Sequence, residues 1–370
     1  MTFDDLRGAA VARSLFPPTS LQGALDQLGF VQADPIRAPA RAQDLTLRHR
    51  VNGYRAGDLE RRYQELDVHE DFFVNYGFVS RAVQRLMHPR GGPRPWTAAR
   101  GRQVRALLEF VRAHGQVHPR VVDQHFAHGT VTNYWGGSSS ATTHLLEAMH
   151  YQGLLRVVRR EAGIRVYAAH DHEPGPQGAS ARHTRLDALV DVVVAKYGPL
   201  PATSLSTLVR RLRYAVPQWA GELDRALARA RRRLSHARVD GADWFWPEDE
   251  ALPGVETGGT ALEDRVRLLA PFDPVVWDRR RFEALWGWAY RFEAYTPAPR
   301  RTLGYYALPL LWRDRVIGWG NLAVRDGTLG VECGYVGSSP PRSRAFRRAL
   351  DEELERMRAF LGLTGARPRA

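Results

Sequence analysis

Apolar residues recur at three- and four-residue steps along Thr97–His114, at Val104, Leu107, Leu108 and Val111. That is the spacing of one buried helix face. Gly115 ends this helix, and Pro119 opens a second, to about Ala127, with Val121, Val122 and Phe126 on its apolar side. A turn-rich stretch follows through Gly129, Asn133, Gly136 and Gly137. Ser138, Ser139 and Ser140 then offer an N-cap to a third helix that Gly153 stops. The pattern next becomes extended: Leu154–Arg160 and Ile164–Ala169 flank a tight turn at Glu161-Ala162-Gly163. Three helices and a two-stranded ribbon in this order predict a winged helix-turn-helix unit over residues 93–172.

The order returns over residues 181–250. Leu186–Lys196 is a helix stopped by Gly198-Pro199, Thr203 or Ser204 caps a short second helix, and Pro217 opens a third. A ribbon turning at Asp240-Gly241 follows, with Trp244, Phe245 and Trp246 as its packing face. Residues 1–92 read as a looser third copy, with helices at Phe3–Leu15, Thr19–Leu28, Arg41–Arg50 and Gly57–Leu66 and strand character over His69–Phe78. Residues 262–365 differ in texture. Short apolar and aromatic runs separated by turn residues, Tyr290 to Tyr335 among them, predict a small antiparallel β-barrel-like domain closed by an amphipathic helix over Arg344–Leu361. The expected class is therefore α+β, three tandem winged helices and a C-terminal β domain.

Composition narrows the partners. The chain has 370 residues, 44% of them hydrophobic and 25% charged, a composition that excludes a disordered or fibrous chain. It lacks the ~20-residue apolar run of a membrane span, and Met1-Thr2-Phe3-Asp4-Asp5 lacks the layout of a secretory signal. The expectation is a cytoplasmic, nucleoid-associated monomer. One cysteine, Cys333, excludes an internal disulfide and a cysteine-rich zinc finger, and its apolar strand reads as core. The net charge is +13, and 52 of the 53 basic residues are arginine, the exception being Lys196. A G·C-rich genome accounts for arginine over lysine, but not for the excess of positive charge, which points to a polyanion and first to nucleic acid. His170-Asp171-His172-Glu173 has metal-ligand residue types, but its Gly- and Pro-rich surroundings read as a solvated linker. No metal and no cofactor are expected.

One pair of residues suits chemistry. Gln32 and Asp34 lie two apart in an extended run, so both leave the same face, and Pro35 keeps Asp34 out of a helix. An amide can hold a water, and a carboxylate can orient it and stabilise developing positive charge. The same three residues also fit a polar turn.

The stretch Phe30-Val31-Gln32-Ala33-Asp34-Pro35-Ile36 with Arg41-Ala42-Gln43-Asp44 resembles the signature of the bacterial winged-helix alkyl-DNA glycosylases, the YcaQ-like and AlkZ-like family. Ser139-Ser140-Ala141-Thr142-Thr143 with Tyr151-Gln152-Gly153-Leu154-Leu155 is similar to the family's second winged helix. The run Pro271–Arg281 and Gly304-Tyr305-Tyr306 resemble its C-terminal β domain. The resemblance implies excision of N7-alkylated purines from double-stranded DNA, including unhooking of interstrand crosslinks, with Gln32 and Asp34 catalytic. Aspartate at the second motif position places the chain in the YcaQ-like branch. Asp67-Val68-His69-Glu70 departs from the family pattern and leaves His69 either as active-site support, touching sugar or phosphate, or as a structural histidine.

An N7-alkylated base is a cationic leaving group and needs no strong acid, only an anion near the sugar and a placed water. An ionised Asp34 and Gln32 supply these. A Schiff-base mechanism needs an amine, and Lys196 reads as a helix C-cap, so a monofunctional reaction is expected. Candidate DNA contacts are Ser139 and Ser140 at a helix start, Arg159 and Arg165 on the ribbon, and Arg210, Arg211, Arg231, Arg232, Arg233, Arg279 and Arg280, each of which also fits a solvated helix face. The alternative function is a non-enzymatic winged-helix DNA-binding protein such as a transcriptional regulator, and a protein-interaction scaffold is the third.

Overall fold

A computed structural model describes residues 1–91, 96–126, 129–132, 138–172, 178–248, 250, 252, 264–337 and 339–363. The chain divides into two compact units, each assembled from separate segments. One comprises Met1–Leu59, Val190–Leu208 and Leu227–Ala370, the other Glu60–Leu189 and Val209–Ala226.

The second unit contains the clearest sequence pattern. Its helices Ala98–His114, Pro119–Phe126 and Ala141–Tyr151 bury Val104, Leu107, Val111, Val122, Leu145, Leu146 and Met149 in one core. The antiparallel strands Leu155–Glu161 and Ile164–Ala169 add Leu155, Val157 and Tyr167 to it. Thr97 and Ser140 cap the first and third helices by accepting from the backbone N–H of Arg100 and Thr143. Where one strand was expected over His69–Phe78, the chain makes a hairpin, Val68–Phe72 paired with Tyr76–Ser80. A buried polar network lies beneath it. Glu70 is paired with Arg160 and accepts from the Tyr76 hydroxyl at 2.6 Å, while Asp71 is held by Arg90 and His88.

In the first unit, helices Phe3–Ser14 and Leu21–Leu28 lead to the short strand Phe30–Gln32. Gly29, at φ 64°, ends the second helix in the left-handed region that glycine tolerates. Strands Ser235–Val239 and Ala242–Trp246 form the expected ribbon, and Leu200–Pro201 pairs with the latter as an unforeseen third strand. Trp244 and Trp246 pack on Leu6, Ala9 and Leu285. The C-terminal β region is open, not barrel-like. Its four strands run Val266–Leu268, Leu308–Trp312, Arg315–Arg325, Thr328–Tyr335 in antiparallel order, and no sheet closes among the described residues. The aromatic stretch Tyr290–Tyr306 that suggested further strands is irregular, apart from a single 3₁₀ turn at Ala298–Arg300. Pro297 and Pro299 deny it a continuous ladder. Cys333 is half-buried instead of core. No helix among the described residues is long and apolar enough to cross a membrane.

Candidate active site

Gln32 and Asp34 are both buried, at 6% and 8% exposure, at and just past the end of the strand Phe30–Gln32. Trp277 Nε1 donates to Gln32 Oε1 at 2.7 Å. An indole N–H can only donate, so the amide oxygen faces Trp277 and the amide NH₂ is turned the other way with two donors to offer. Asp34 is fixed at both ends. Its backbone N–H donates to Gln43 Oε1 at 3.2 Å, and its Oδ1 accepts from the Ile36 N–H at 2.9 Å, closing a turn around Pro35. Burial raises the Asp34 carboxyl above the ordinary aspartate value, and the Ile36 N–H opposes that only in part. The expectation of a carboxylate stabilised by a basic environment is therefore corrected: desolvation governs it.

Aromatic groups surround this carboxylate. Tyr295 and Tyr306 lie within its field; Tyr295 and the neighbouring Tyr305 are 73% and 45% exposed, whereas Tyr306 is buried. The Tyr306 hydroxyl has no hydrogen-bond partner among the described residues, and burial followed by the Asp34 charge pushes its phenol well above the usual range. Phe292 packs edge-on against Tyr306, at 5.1 Å between ring centres. Glu293 fixes the loop that carries Tyr305 and Tyr306 by accepting from the N–H groups of Thr302, Leu303 and Gly304 and the Thr302 hydroxyl. Gly304 is required there: its φ is 114°, and a Cβ would stand 2.4 Å from Asn321 Oδ1.

Behind the strand lies a charged framework. Arg50 and Asp273, neither exposed to solvent, pair through two hydrogen bonds of 2.8 and 3.0 Å, and Arg50 also donates to the carbonyls of Ser14 and Thr46. Arg281 is likewise structural, donating to Pro199 and Val275 carbonyls. Lys196 is not an exposed C-cap. It is 4% exposed, its ammonium nitrogen donates to the Phe30 carbonyl two residues before Gln32, and it lies over the Phe30 and Tyr197 rings. Desolvation, with a smaller contribution from Arg50, lowers its pKa to about 7.

The other sequence candidates fall as follows. His69 is in the second unit, buried and stacked 5.3 Å from His170, and desolvation followed by Arg81 and Arg156 brings its pKa to about 4. His170 and His172 are not simply solvated: the His170 ring packs against those of His69 and His172, and His172 Nε2 donates to the Gly153 carbonyl at 2.7 Å. Glu173 lies outside the described residues, as does the side chain of Ser139. Ser140, besides capping, donates to Asp123 at 3.0 Å. Arg159 contacts Gln116 and Glu161, and Arg165 meets Glu147 at 3.2 Å and lies over the Tyr76 ring. Arg210 pairs with Asp224, Arg231 donates to Ser206, and Arg233 bridges Asp191 and Glu248. Arg211 is half-buried; Arg232, Arg279 and Arg280 are exposed, the last two in a turn capped by Asp278. Trp277, Gln43 and the three tyrosines were not singled out from sequence, although Gln43, Trp277, Tyr305 and Tyr306 stand inside the family-like blocks.

The family model described as "DNA glycosylase AlkZ-like" matches residues 25–360. Among solved structures, the chain is similar to the Streptomyces sahachiroi DNA glycosylase AlkZ. The two share 15% identity with a TM-score of 0.63, over 98% of this chain and 97% of that one.

Proposed function

The chain belongs to the AlkZ-like DNA glycosylase family, and from that premise we propose that it is a monofunctional glycosylase for cationic N7-alkylated purines in duplex DNA, able also to unhook crosslinks joined through such bases. The observation that carries this reading is the buried pair Gln32 and Asp34, one fixed by Trp277 and the other by Ile36. The aspartate at the second motif position favours the YcaQ-like branch.

The chemistry follows from the side chains. In the alkylated nucleotide the C1′–N9 bond breaks with its electrons passing to the cationic base, which leaves neutral, and the sugar becomes an oxocarbenium ion. A carboxylate in a desolvated site interacts with that ion far more strongly than one in water. The Gln32 NH₂ donates to a water oxygen, Asp34 accepts one of the water's protons, and the oxygen bonds C1′ to give an abasic site. A raised Asp34 pKa makes the carboxylate a better base. Tyr305 and Tyr295, exposed beside it, offer faces on which bases can stack. Lys196 has the lowered pKa that Schiff-base chemistry needs, but its amine is buried against the Phe30 carbonyl, which favours attack by water.

Around this centre, we read the helices and ribbons over residues 1–92, 93–172 and 181–250 as three winged helices that follow the duplex as a monomer. Arg232, Arg279 and Arg280 are the best-placed phosphate contacts of the sequence candidates. Arg165 and Arg233 already meet carboxylates.

Asp34→Asn keeps the size and removes the charge. It is expected to lower excision of N7-methylguanine by two to three orders of magnitude, about 3–4 kcal/mol of transition-state stabilisation, with duplex affinity unchanged. The wild-type rate should fall at acid pH, with a limb above the ordinary aspartate value because the ionised form is required. Uracil, a neutral leaving group, should be a poor substrate. Full activity in Asp34→Asn refutes the assignment.

A further inference from the structure

Alternate residues of the run from Phe30 to Asp34 are each held by a side chain from elsewhere in the first unit. The Phe30 carbonyl accepts from Lys196, and Gln32 Oε1 accepts from Trp277 Nε1. The third contact grips the backbone of Asp34. The strand ends at Gln32, so the Asp34 N–H lies past its last residue, and Pro35 brings no N–H of its own. A buried N–H needs an acceptor. Gln43 supplies it: its Oε1 accepts from the Asp34 N–H at 3.2 Å, from nine residues along the chain. A backbone N–H can only donate, so the amide oxygen of Gln43 is the atom turned to Asp34.

Gln43 is itself firmly seated. It is 2% exposed and lies in the first turn of the helix Ala42–Leu47, every residue of which is buried. The adjacent Asp44 pins that turn, its Oδ1 accepting from the Tyr54 hydroxyl at 2.7 Å and from the Gly57 N–H at 3.0 Å. Near the other end, the Thr46 carbonyl accepts from Arg50, which is paired with Asp273. The contact between Asp34 Oδ1 and the Ile36 N–H is local by comparison. It fixes the carboxylate relative to its own turn and would travel with that turn. The Gln43 contact fixes the turn relative to a buried helix.

We propose that Gln43 is a positioning residue of the excision reaction, which acts through Asp34 by setting where its carboxylate stands. This rests on the reading of Asp34 as the group that faces the oxocarbenium ion. In a desolvated site the attraction between two charges falls with their separation without water to level it. A displacement of about 1 Å at such a group can cost about a hundredfold in rate.

A double-mutant cycle tests this, read as single-turnover release of N7-methylguanine by the full-length protein. The four proteins are wild type, Gln43→Met, Asp34→Asn and the two substitutions together. Gln43→Met keeps the length of the side chain and loses the acceptor. Alone, it is expected to lower the maximal rate about tenfold to a hundredfold with duplex affinity unchanged. In the Asp34→Asn background it is expected to cost less than about threefold, because the charge it positions is already gone. A residue that merely supports the fold would lower both rates by the same factor. If Gln43→Met lacks a cooperative thermal transition, Gln43→Glu and Gln43→Asn decide. Glutamate still reaches the Asp34 N–H with an oxygen and should stay within about threefold of wild type, whereas asparagine, one methylene shorter, should lose about tenfold or more. A wild-type rate in Gln43→Met, an equal loss in both backgrounds, or equal rates for the glutamate and asparagine variants overturns the positioning role. When Asp34→Asn alone is slow, those outcomes leave the reading of Asp34 intact; full activity in Asp34→Asn overturns both.

Discussion

Lys196→Met tests the framework under the active-site strand. A lysine that titrates near 10.5 in the unfolded chain and near 7 in the folded one binds its proton about 5 kcal/mol less favourably when folded. The sign follows from the protons bound. Below pH 7 both states are protonated and the full penalty is present. Between 7 and 10.5 the unfolded chain holds the proton and the folded one has lost it, so stability rises by about 1.4 kcal/mol per pH unit. Above 10.5 neither is charged and the penalty is gone. Methionine has a similar shape and no charge, but removes the hydrogen bond from Lys196 to the Phe30 carbonyl, a cost of about 1–3 kcal/mol. Lys196→Met should therefore be more stable than wild type by about 2–4 kcal/mol at pH 6 and less stable by at most about 2 kcal/mol near pH 10, crossing over near pH 9. Urea unfolding of both proteins, followed by tryptophan fluorescence from pH 6 to 10, measures the difference directly. A difference that does not change with pH, or a variant that is weaker at pH 6, refutes the account of a desolvated amine.

The remaining predictions concern the site and the surface. Trp277→Phe removes the donor that orients the Gln32 amide; kcat for N7-methylguanine release should fall about tenfold to a hundredfold while KM changes little, as for a lost positioning group. Tyr305→Ala should weaken binding of lesion-bearing duplex by about 1–3 kcal/mol if its exposed ring stacks on a base, and equilibrium titration against undamaged duplex provides the comparison. Neutralising Arg231, Arg232 and Arg233 together should flatten the salt dependence of duplex binding by at most one to two in slope, because Arg231 and Arg233 already have protein partners; an unchanged slope places all three off the DNA.

The helices around Val104, Leu107 and Val111 were legible because each packs one periodic face on a local core, and their caps, Thr97 and Ser140, are short-range hydrogen bonds. The Gln32–Asp34 pair was legible too, since period-two geometry and Pro35 are properties of neighbours in the chain. What escaped the sequence depends on long-range placement. Trp277 reaches Gln32 across 245 residues, and Lys196 reaches Phe30 across 166. Nothing in the surroundings of Lys196 distinguishes an exposed helix end from one driven into a core. The aromatic stretch from Tyr290 misled for a related reason. Alternating aromatics normally mark a half-buried strand, but here Phe292 packs edge-on against Tyr306 while Tyr295 and Tyr305 remain exposed, an arrangement with no ladder to supply.

The raised pKa of Asp34 also bears on why such a site would discriminate by charge. Keeping a carboxylate buried with a single backbone N–H for company is unfavourable in the free protein. The group that best offsets that cost is a cation placed against it. A normal purine brings none, and a neutral damaged base brings none. An N7-alkylated purine brings a full positive charge, and on bond cleavage the charge passes to the sugar, closer still to the position proposed for Asp34. In the proposed mechanism, the same desolvation that is unfavourable in the free protein would strengthen binding of the lesion and, more, of the transition state. Tyr306 cannot substitute as an acid for neutral bases, because burial and the Asp34 charge both hold its proton on the phenol. On the proposed mechanism, selectivity for cationic leaving groups would need no donor to read the alkyl group; the buried carboxylate would supply it.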